Sequence, residues 1–266
     1  MAECSLDELM TVAAARTLGD GQICFVGIGL PSKAANLARA THAPRAVLIY
    51  ESGAIGAKPQ VLPLSIGDGE LAETADTVVP THEIFRYWLQ GGRIDLGFLG
   101  AAQIDRFANL NTTVIGPYQR PKVRLPGAGG APEIAAHSKA VVIVMKHSRQ
   151  GMVAKLDFVT TAGFLSGGNA RRSAGLKSQG PIAVITDKGI LKPDPESKEL
   201  ELVHLHPGVE LQAVIDATGW PLRISPGLSP TPMPSPTELD VLRALEARTA
   251  GAHGASVGPA RGGQAL

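Results

Sequence analysis

The chain has 266 residues, 44% of them hydrophobic, enough for one large α/β domain or two small ones. Its 25 basic and 24 acidic residues leave a net charge of +1, which excludes a global field able to hold nucleic acid or an anionic membrane. Aromatic content is 4% against 31 glycines, which favours α/β packing with glycine-rich turns over an all-β sandwich.

The predicted elements begin at a capping box, Ser5-Leu6-Asp7-Glu8. Leu6, Leu9, Met10, Ala13 and Ala14 follow at helical spacing, and Gly19 is the expected stop. Residues 23–26 read as a strand, Gly27-Ile28-Gly29-Leu30-Pro31 as a turn, and Ser32 as the cap of a helix to about Ala40. The run 45–50 is short, apolar and β-branched in places, the pattern of a buried parallel strand. Helix, strand, turn, helix and strand in this order form a right-handed parallel unit. Residues 57–80 are irregular and rich in Pro and Gly, a kind of loop that usually carries function or covers a site. A helix is expected from Thr81 through Phe85, Trp88 and Leu89 to Gly91-Gly92, then a strand over 94–99. Turn chemistry fills 103–135, and 140–145 and 181–186 read as buried strands. Residues 200–205 alternate, as at a sheet edge; 208–218 read as a helix ended by Gly219; 225–236 as a proline-rich linker or strap; 236 to about 248 as a last helix. The expected organisation is a single domain over 1–249, with a disordered Gly/Ala-rich tail over 250–266 and no internal repeat.

Two cysteines occur, Cys4 and Cys24, without zinc spacing. Cys24 lies in an apolar run and reads as a buried thiol rather than half of a disulfide. The polar N-terminus lacks the regions of a signal peptide, and no apolar stretch reaches membrane-spanning length, so the expected compartment is the cytoplasm.

Glu51 is the most informative residue. The strand before it delivers the carboxylate to a C-terminal sheet edge, where open α/β sheets bind ligands, and Gly53 and Gly56 are expected to leave room for a substrate. A carboxylate there is a nucleophile, a base or a structural hydrogen-bond acceptor. Gly27-Ile28-Gly29 can cradle an anion with backbone amides, or simply make a tight turn. It is no dinucleotide fingerprint, since the third glycine is missing, and no P-loop. In Gly127-Ala128-Gly129-Gly130 the glycines let N–H groups converge as an oxyanion hole requires; the alternative is a flexible loop. The amides between Gln103 and Asn111 can orient a carboxylate without adding charge, or form an Asx-rich turn. Arg120, Lys122 and Arg124 alternate and Arg171-Arg172 are paired; either set meets a phosphate or is solvated surface. The seven histidines form no ligand spacing, and His204 and His206 read as strand-edge residues. No Ser/His/Asp or Cys/His arrangement is evident.

Taken in order from about residue 5 to 245, these segments resemble one family. The pattern is a G-x-G-L-P turn, an E-S-G strand end, G-x-A-Q-I-D followed by N-x-N, a G-x-G-G loop and a late T-D-K-G-I-L. It is similar to the B (β) subunit of family I CoA-transferases, in the glutaconate CoA-transferase-like branch. The runs V-G-I-G-L-P-S-K-A-A-N-L-A, I-Y-E-S-G-A-I-G-A-K-P and L-P-L-S-I-G-D-G-E-L-A-E-T-A-D look closest to B subunits that serve 3-oxoadipate in aromatic degradation, the β-ketoadipate pathway.

The resemblance implies an open, mostly parallel α/β sheet with helices on both faces, and a separate A subunit in an α2β2 assembly. It implies Glu51 as nucleophile, attacking an acyl-CoA thioester and passing through an anhydride to a glutamyl-CoA thioester. Amides around Gly129 and Gly130, with Gly127 in the same loop and Gly27 and Gly29 nearby, are then expected to bind oxyanions, and Gln103 to orient the acyl group. CoA is a substrate, so no separate cofactor or metal is implied, and the partners are acyl-CoA and dicarboxylic acids, with no nucleic acid or membrane. Alternatives are glutaconate or another dicarboxylate as acceptor, a CoA-ester hydrolase or decarboxylase on the same fold, and a non-catalytic subunit. The family often has glycine where Ala108 stands; a positive φ there would cost alanine about 1 kcal/mol.

Overall fold

The computed structural model describes residues 4–253. They gather into two compact units, residues 4–98 with 233–253, and Leu99–Pro232.

In the first unit, α1 (Leu6–Ala15) opens on the predicted capping box. Ser5 Oγ accepts the Glu8 N–H at 3.2 Å and the Glu8 carboxylate accepts the Ser5 N–H at 2.8 Å. The helix stops short of Gly19, because the Thr17 and Leu18 amides tighten onto the Ala14 and Ala15 carbonyls three residues back. β1 (Ile23–Val26) pairs in parallel with β2 (Val47–Tyr50), Ile23 opposite Val47 and Val26 opposite Tyr50. The connecting α2 (Leu30–Ala40) is capped by Gly29 rather than Ser32; Gly29 has φ 78°, a left-handed conformation that glycine adopts without penalty, and Pro31 sits in the first turn. Ser32 is instead buried inside α2, its hydroxyl 3.1 Å from the Tyr50 hydroxyl. Leu37, Leu48 and Ile49 are fully buried around this unit, each worth roughly 1.5–3 kcal/mol. Cys24 is a buried free thiol, as expected, with its pKa pushed up by burial.

The loop expected over 57–80 is partly ordered. β3 (Ala54–Ile55) adds antiparallel to β2 and β4 (Thr77–Val78) antiparallel to β3, with α3 (Gly69–Glu73) between β3 and β4 in the chain. α4 (Thr81–Glu83) passes into a π-helical segment, Ile84–Leu89, and β5 (Leu96–Leu99) pairs in parallel with the free side of β1. The last helix, Pro236–His253, belongs to this unit. Leu239, Leu242 and Leu245 are its buried residues, and Glu238 and Arg243 pair with Arg16 (2.7 Å) and Glu8 (2.6 Å) on and beside α1. It runs past the expected end near 248, so residues 250–253 are helical. The rest of the predicted tail, 254–266, lies outside the described residues.

The second unit begins with short antiparallel pairs, β6 (Gln103–Ile104) with β7 (Leu110–Asn111) and β8 (Val114–Ile115) with β9 (Val123–Arg124). After α5 (Ala131–His137) come β10 (Ala140–Val144), α6 (Ala170–Ser173) and β11 (Pro181–Ile185), with β10 and β11 parallel. β12 (Gly189–Pro193) adds antiparallel to β11 and β13 (Leu200–Leu205) antiparallel to β12. α7 (Leu211–Asp216) then leads to β14 (Arg223–Pro230), parallel to β13. The α/β class is as expected, with parallel and antiparallel pairs in both units. Two sequence expectations change. Residues 200–205 are not a sheet edge, because β14 covers their outer side, and the first half of the predicted strap, residues 225–230, belongs to β14. Pro226 and Pro230 fit β14 because an edge strand tolerates residues that cannot donate.

Arg171 is neither a phosphate ligand nor solvated. It is 4% exposed and its guanidinium donates to the carbonyls of Ala135 (2.6 Å), Ala162 (2.9 Å), Gly163 (2.8 Å) and Ser178, and to the Ser178 hydroxyl. His206 is buried rather than at an edge, with Nδ1 2.7 Å from Thr231 Oγ1 and Nε2 2.7 Å from the Thr186 carbonyl.

His147 sets an acid limit on this unit. It lies 2.9 Å from Thr218 Oγ1 and 3.3 Å from Thr186 Oγ1, and burial pushes its pKa down from 6.5 to about 4. As the pH falls below 6.5 the unfolded chain takes up a proton that the folded chain refuses until about 4. Stability is therefore intact above that window and falls through it, by roughly 3 kcal/mol at most. Burial lowers the pKa of His206 in the same direction. Urea midpoints measured across the window should fall toward acid pH, and His147→Gln should flatten the fall; an unchanged profile in the variant would contradict the assignment.

Candidate active site

In the first unit, β1 and β2 end in step, so Gly27 and Glu51 are the next residues on neighbouring parallel strands. Glu51 is half-buried at this C-terminal edge. Among the described residues no donor and no cation engages its carboxylate, whereas Asp95, elsewhere in the same unit, accepts the Ile23 amide at 2.8 Å.

Gly53 and Gly56 do not leave space for a substrate. A side chain at Gly53 would put its Cβ 1.8 Å from the Val79 carbonyl oxygen, and one at Gly56 would lie 2.2 Å from Asp76 Oδ2. Both glycines let the chain fold back tightly behind Glu51. The open glycines are on the other strand end. Nothing lies within 4 Å of a Cβ built on Gly29, and at Gly27 the nearest atom is a Pro31 carbon at 3.9 Å.

In the second unit, Gln103 is 6% exposed and held from both ends. Its Oε1 accepts from Asn111 Nδ2 at 2.7 Å and from the Asp157 amide at 3.2 Å, and its Nε2 donates to Asp157 Oδ2 at 3.0 Å. A primary amide carries two N–H groups, so one Nε2 hydrogen remains after the Asp157 bond. Asn111 is fully buried; it also donates to the Val114 carbonyl (2.7 Å) and accepts the Thr113 amide (2.9 Å). Asn109 binds Asp105 and accepts the Gly163 (2.9 Å) and Leu165 (3.0 Å) amides. The two asparagines are therefore turn scaffold. Ala108, just before Asn109, has φ 58°, the left-handed conformation that costs alanine about 1 kcal/mol.

Thr112, next to Asn111, carries the glycine loop. Its carbonyl accepts the Gly127 amide at 2.9 Å and its hydroxyl donates to the Gly127 carbonyl at 2.8 Å. Gly127 thus anchors the loop and its N–H is spent. The amides of Ala128, Gly129 and Gly130 face no acceptor among the described residues, and nothing lies within 4 Å of a Cβ built on Gly129. Gly130 is the cap residue of α5. The structure therefore brings Glu51, Gly27 and Gly29 together in one unit, and Gln103 and the 127–130 loop, through Asn111 and Thr112, in the other.

Residues 8–217 match the family described as Coenzyme A transferase. The chain belongs to the coenzyme A transferase family. It is 64% identical over 254 residues to the B subunit of 3-oxoadipate CoA-transferase from Pseudomonas knackmussii, covering 96% of this chain and 98% of that one. The crystal structure of glutaconate coenzyme A-transferase from Acidaminococcus fermentans matches with a TM-score of 0.83 at 34% identity, covering 90% of this chain and 93% of that one. The decarboxylase AibA/AibB shares the fold with a TM-score of 0.80 at 23% identity over 92% and 96% of the two chains. Fold alone therefore does not separate transferase from decarboxylase, and the side chains must do so.

For this CoA-transferase chain the sequence missed Thr112 and Asp157. Asp157 is 54 residues from Gln103 and accepts from both Gln103 and the Gly116 amide (3.0 Å), a long-range pairing that no local pattern announces. Arg120, Lys122 and Arg124 lie on or beside the β8–β9 hairpin, with Arg124 4.8 Å over the Tyr118 ring. No helix among the described residues is long and apolar enough to cross a membrane.

Proposed function

We propose that this chain is the B subunit of a CoA-transferase that moves CoA from succinyl-CoA to 3-oxoadipate in aromatic degradation, with Glu51 as the nucleophile. The observation that carries the reading is the half-buried, unengaged carboxylate at the end of β2 in a chain of this family. A carboxylate attacks the succinyl-CoA carbonyl and expels CoA thiolate, leaving a mixed anhydride. The thiolate attacks the glutamyl carbonyl and releases succinate, leaving Glu51 as a CoA thioester. The acceptor's carboxylate then reverses both steps and leaves with CoA. Carboxylate chemistry suits this sequence because each bond broken is remade at similar energy.

Each attack creates an oxyanion that needs donors already in place. The unengaged amides of Gly129 and Gly130 serve one, the open turn at Gly27 and Gly29 serves the other, and Gln103 orients the acyl group through its remaining Nε2 hydrogen. Gly127 contributes by fixing the loop. Anhydrides hydrolyse in water, so the reaction needs closure by a separate A subunit, in an α2β2 assembly in the cytoplasm, with no cofactor beyond the CoA substrate.

The test is initial-rate kinetics on the chain co-purified with its A subunit. Acceptor-dependent transfer with parallel double-reciprocal plots, and no activity from the chain alone, is expected. Release of free CoA without acceptor would support a hydrolase. Transfer to glutaconate in place of 3-oxoadipate would keep the chemistry and change the substrate.

A further inference from the structure

The second unit holds a cleft of about 650 Å³ that the chemistry above does not use, within the size range of small-molecule sites. Its lining includes Arg171, Arg172, Lys177 and Lys198 and no carboxylate. A chain whose net charge is +1 thus gathers four cations in one hollow.

The cations differ in what they already hold. The Arg171 guanidinium is committed to backbone carbonyls and the Ser178 hydroxyl, neutral groups that leave its charge uncompensated in the wall. Lys198 donates to the Pro195 carbonyl at 2.7 Å and stands 5.9 Å from the centre of the Phe164 ring. Arg172 and Lys177 are exposed at the rim, and among the described residues neither meets an acceptor. Gly168 and Gly175 also line the hollow, with nothing within 4 Å of a Cβ built on either, so backbone is open to a close-lying ligand. Lys198 (φ 63°) and Leu165 (φ 57°), beside Phe164, are two of the three left-handed non-glycine residues in the described chain. Strained backbone of this kind gathers at functional sites.

We propose that this cleft binds a phosphate-bearing ligand, with Arg172, Lys177 and Lys198 as the binding cations and Arg171 as a fixed charge behind them. Arginine binds phosphate as a planar fork and lysine as a point charge, so the rim carries both modes. Two sources have this chemistry, the phosphorylated nucleotide end of coenzyme A and a free phosphate-bearing metabolite. The first rests on the transferase reading above; the second does not.

The test uses the complex of this chain with its A subunit, intact and with the double substitution Arg172→Glu, Lys177→Glu, both at exposed positions. Calorimetric titration is made with adenosine 3′,5′-bisphosphate, which carries the 3′-phosphate and the inner 5′-phosphate of the CoA nucleotide, and with inorganic phosphate. Binding of adenosine 3′,5′-bisphosphate that weakens at least about tenfold in the variant is expected. If CoA is the source, KM for succinyl-CoA rises by a similar factor. Binding of either probe that the variant loses, with KM unchanged, assigns the site to a free metabolite and keeps the proposal. Absence of binding by both probes in the intact complex, or binding that the variant leaves unaltered, overturns it. A complex that transfers no CoA yet binds the probes would overturn the transferase reading and leave the cleft standing.

Discussion

Replacing Glu51 with glutamine should remove CoA transfer from the assembled enzyme, by about a thousandfold or more, equivalent to roughly 4 kcal/mol of barrier. Glutamine keeps the shape of the side chain but cannot form the anhydride. It should leave the fold intact, because no donor among the described residues engages the carboxylate that is lost. The turn behind it is held by the backbone, through the Gly53 amide on the Tyr50 carbonyl (3.0 Å) and the Val79 amide on the Gly53 carbonyl (3.0 Å). The expected outcome is therefore a dead enzyme with an unchanged melting temperature. Wild-type turnover in the variant would mean that Glu51 neither reacts nor positions, and the chain would be a non-catalytic subunit.

Arg171→Leu should cost the protein about 4 kcal/mol of stability, read as a fall in the urea midpoint. The leucine fills much of the volume but leaves the carbonyls of Ala135, Ala162, Gly163 and Ser178 without their donor. Each buried acceptor left bare costs about 1–3 kcal/mol, and water entering from the adjoining cleft recovers part of the sum. Arg171→Lys should recover little, since one ammonium cannot reach carbonyls spread around a planar fork. A loss below about 1 kcal/mol would place Arg171 among solvated surface residues, as one of the two sequence readings had it.

The contrast between these two residues shows what a sequence carries. The strand-end position of Glu51 was legible because its signal is local: an apolar strand, then a carboxylate, then a glycine two residues on. The Ser5 box and the strands at 23–26 and 47–50 were legible for the same reason, since propensity, pattern and capping agree within a few residues. Arg171 was not, because its acceptors include Ala135, 36 residues upstream. Gly53 and Gly56 mark tight approach, but glycine alone does not say what approaches; here it is Val79 and Asp76 of the same chain. Ser32 matched a helix cap by position, yet burial against Tyr50 uses its hydroxyl inside the helix and Gly29 takes the cap. β14 was hidden by its prolines, which an edge strand tolerates and a central strand does not. The amides of the 103–111 segment and the glycine loop were seen as candidates for binding. Only the pairing of Thr112 with Gly127 separates the amide that anchors from the amides that remain open.

The most direct measurement is mass spectrometry of the complex with its A subunit after incubation with succinyl-CoA and reduction with borohydride. A glutamyl-CoA thioester is reduced to an alcohol, so the peptide carrying Glu51 should lose mass accordingly, and the signal should disappear when 3-oxoadipate is added before the reductant. An unmodified Glu51 peptide from a complex that is actively transferring CoA would contradict Glu51 as the nucleophile.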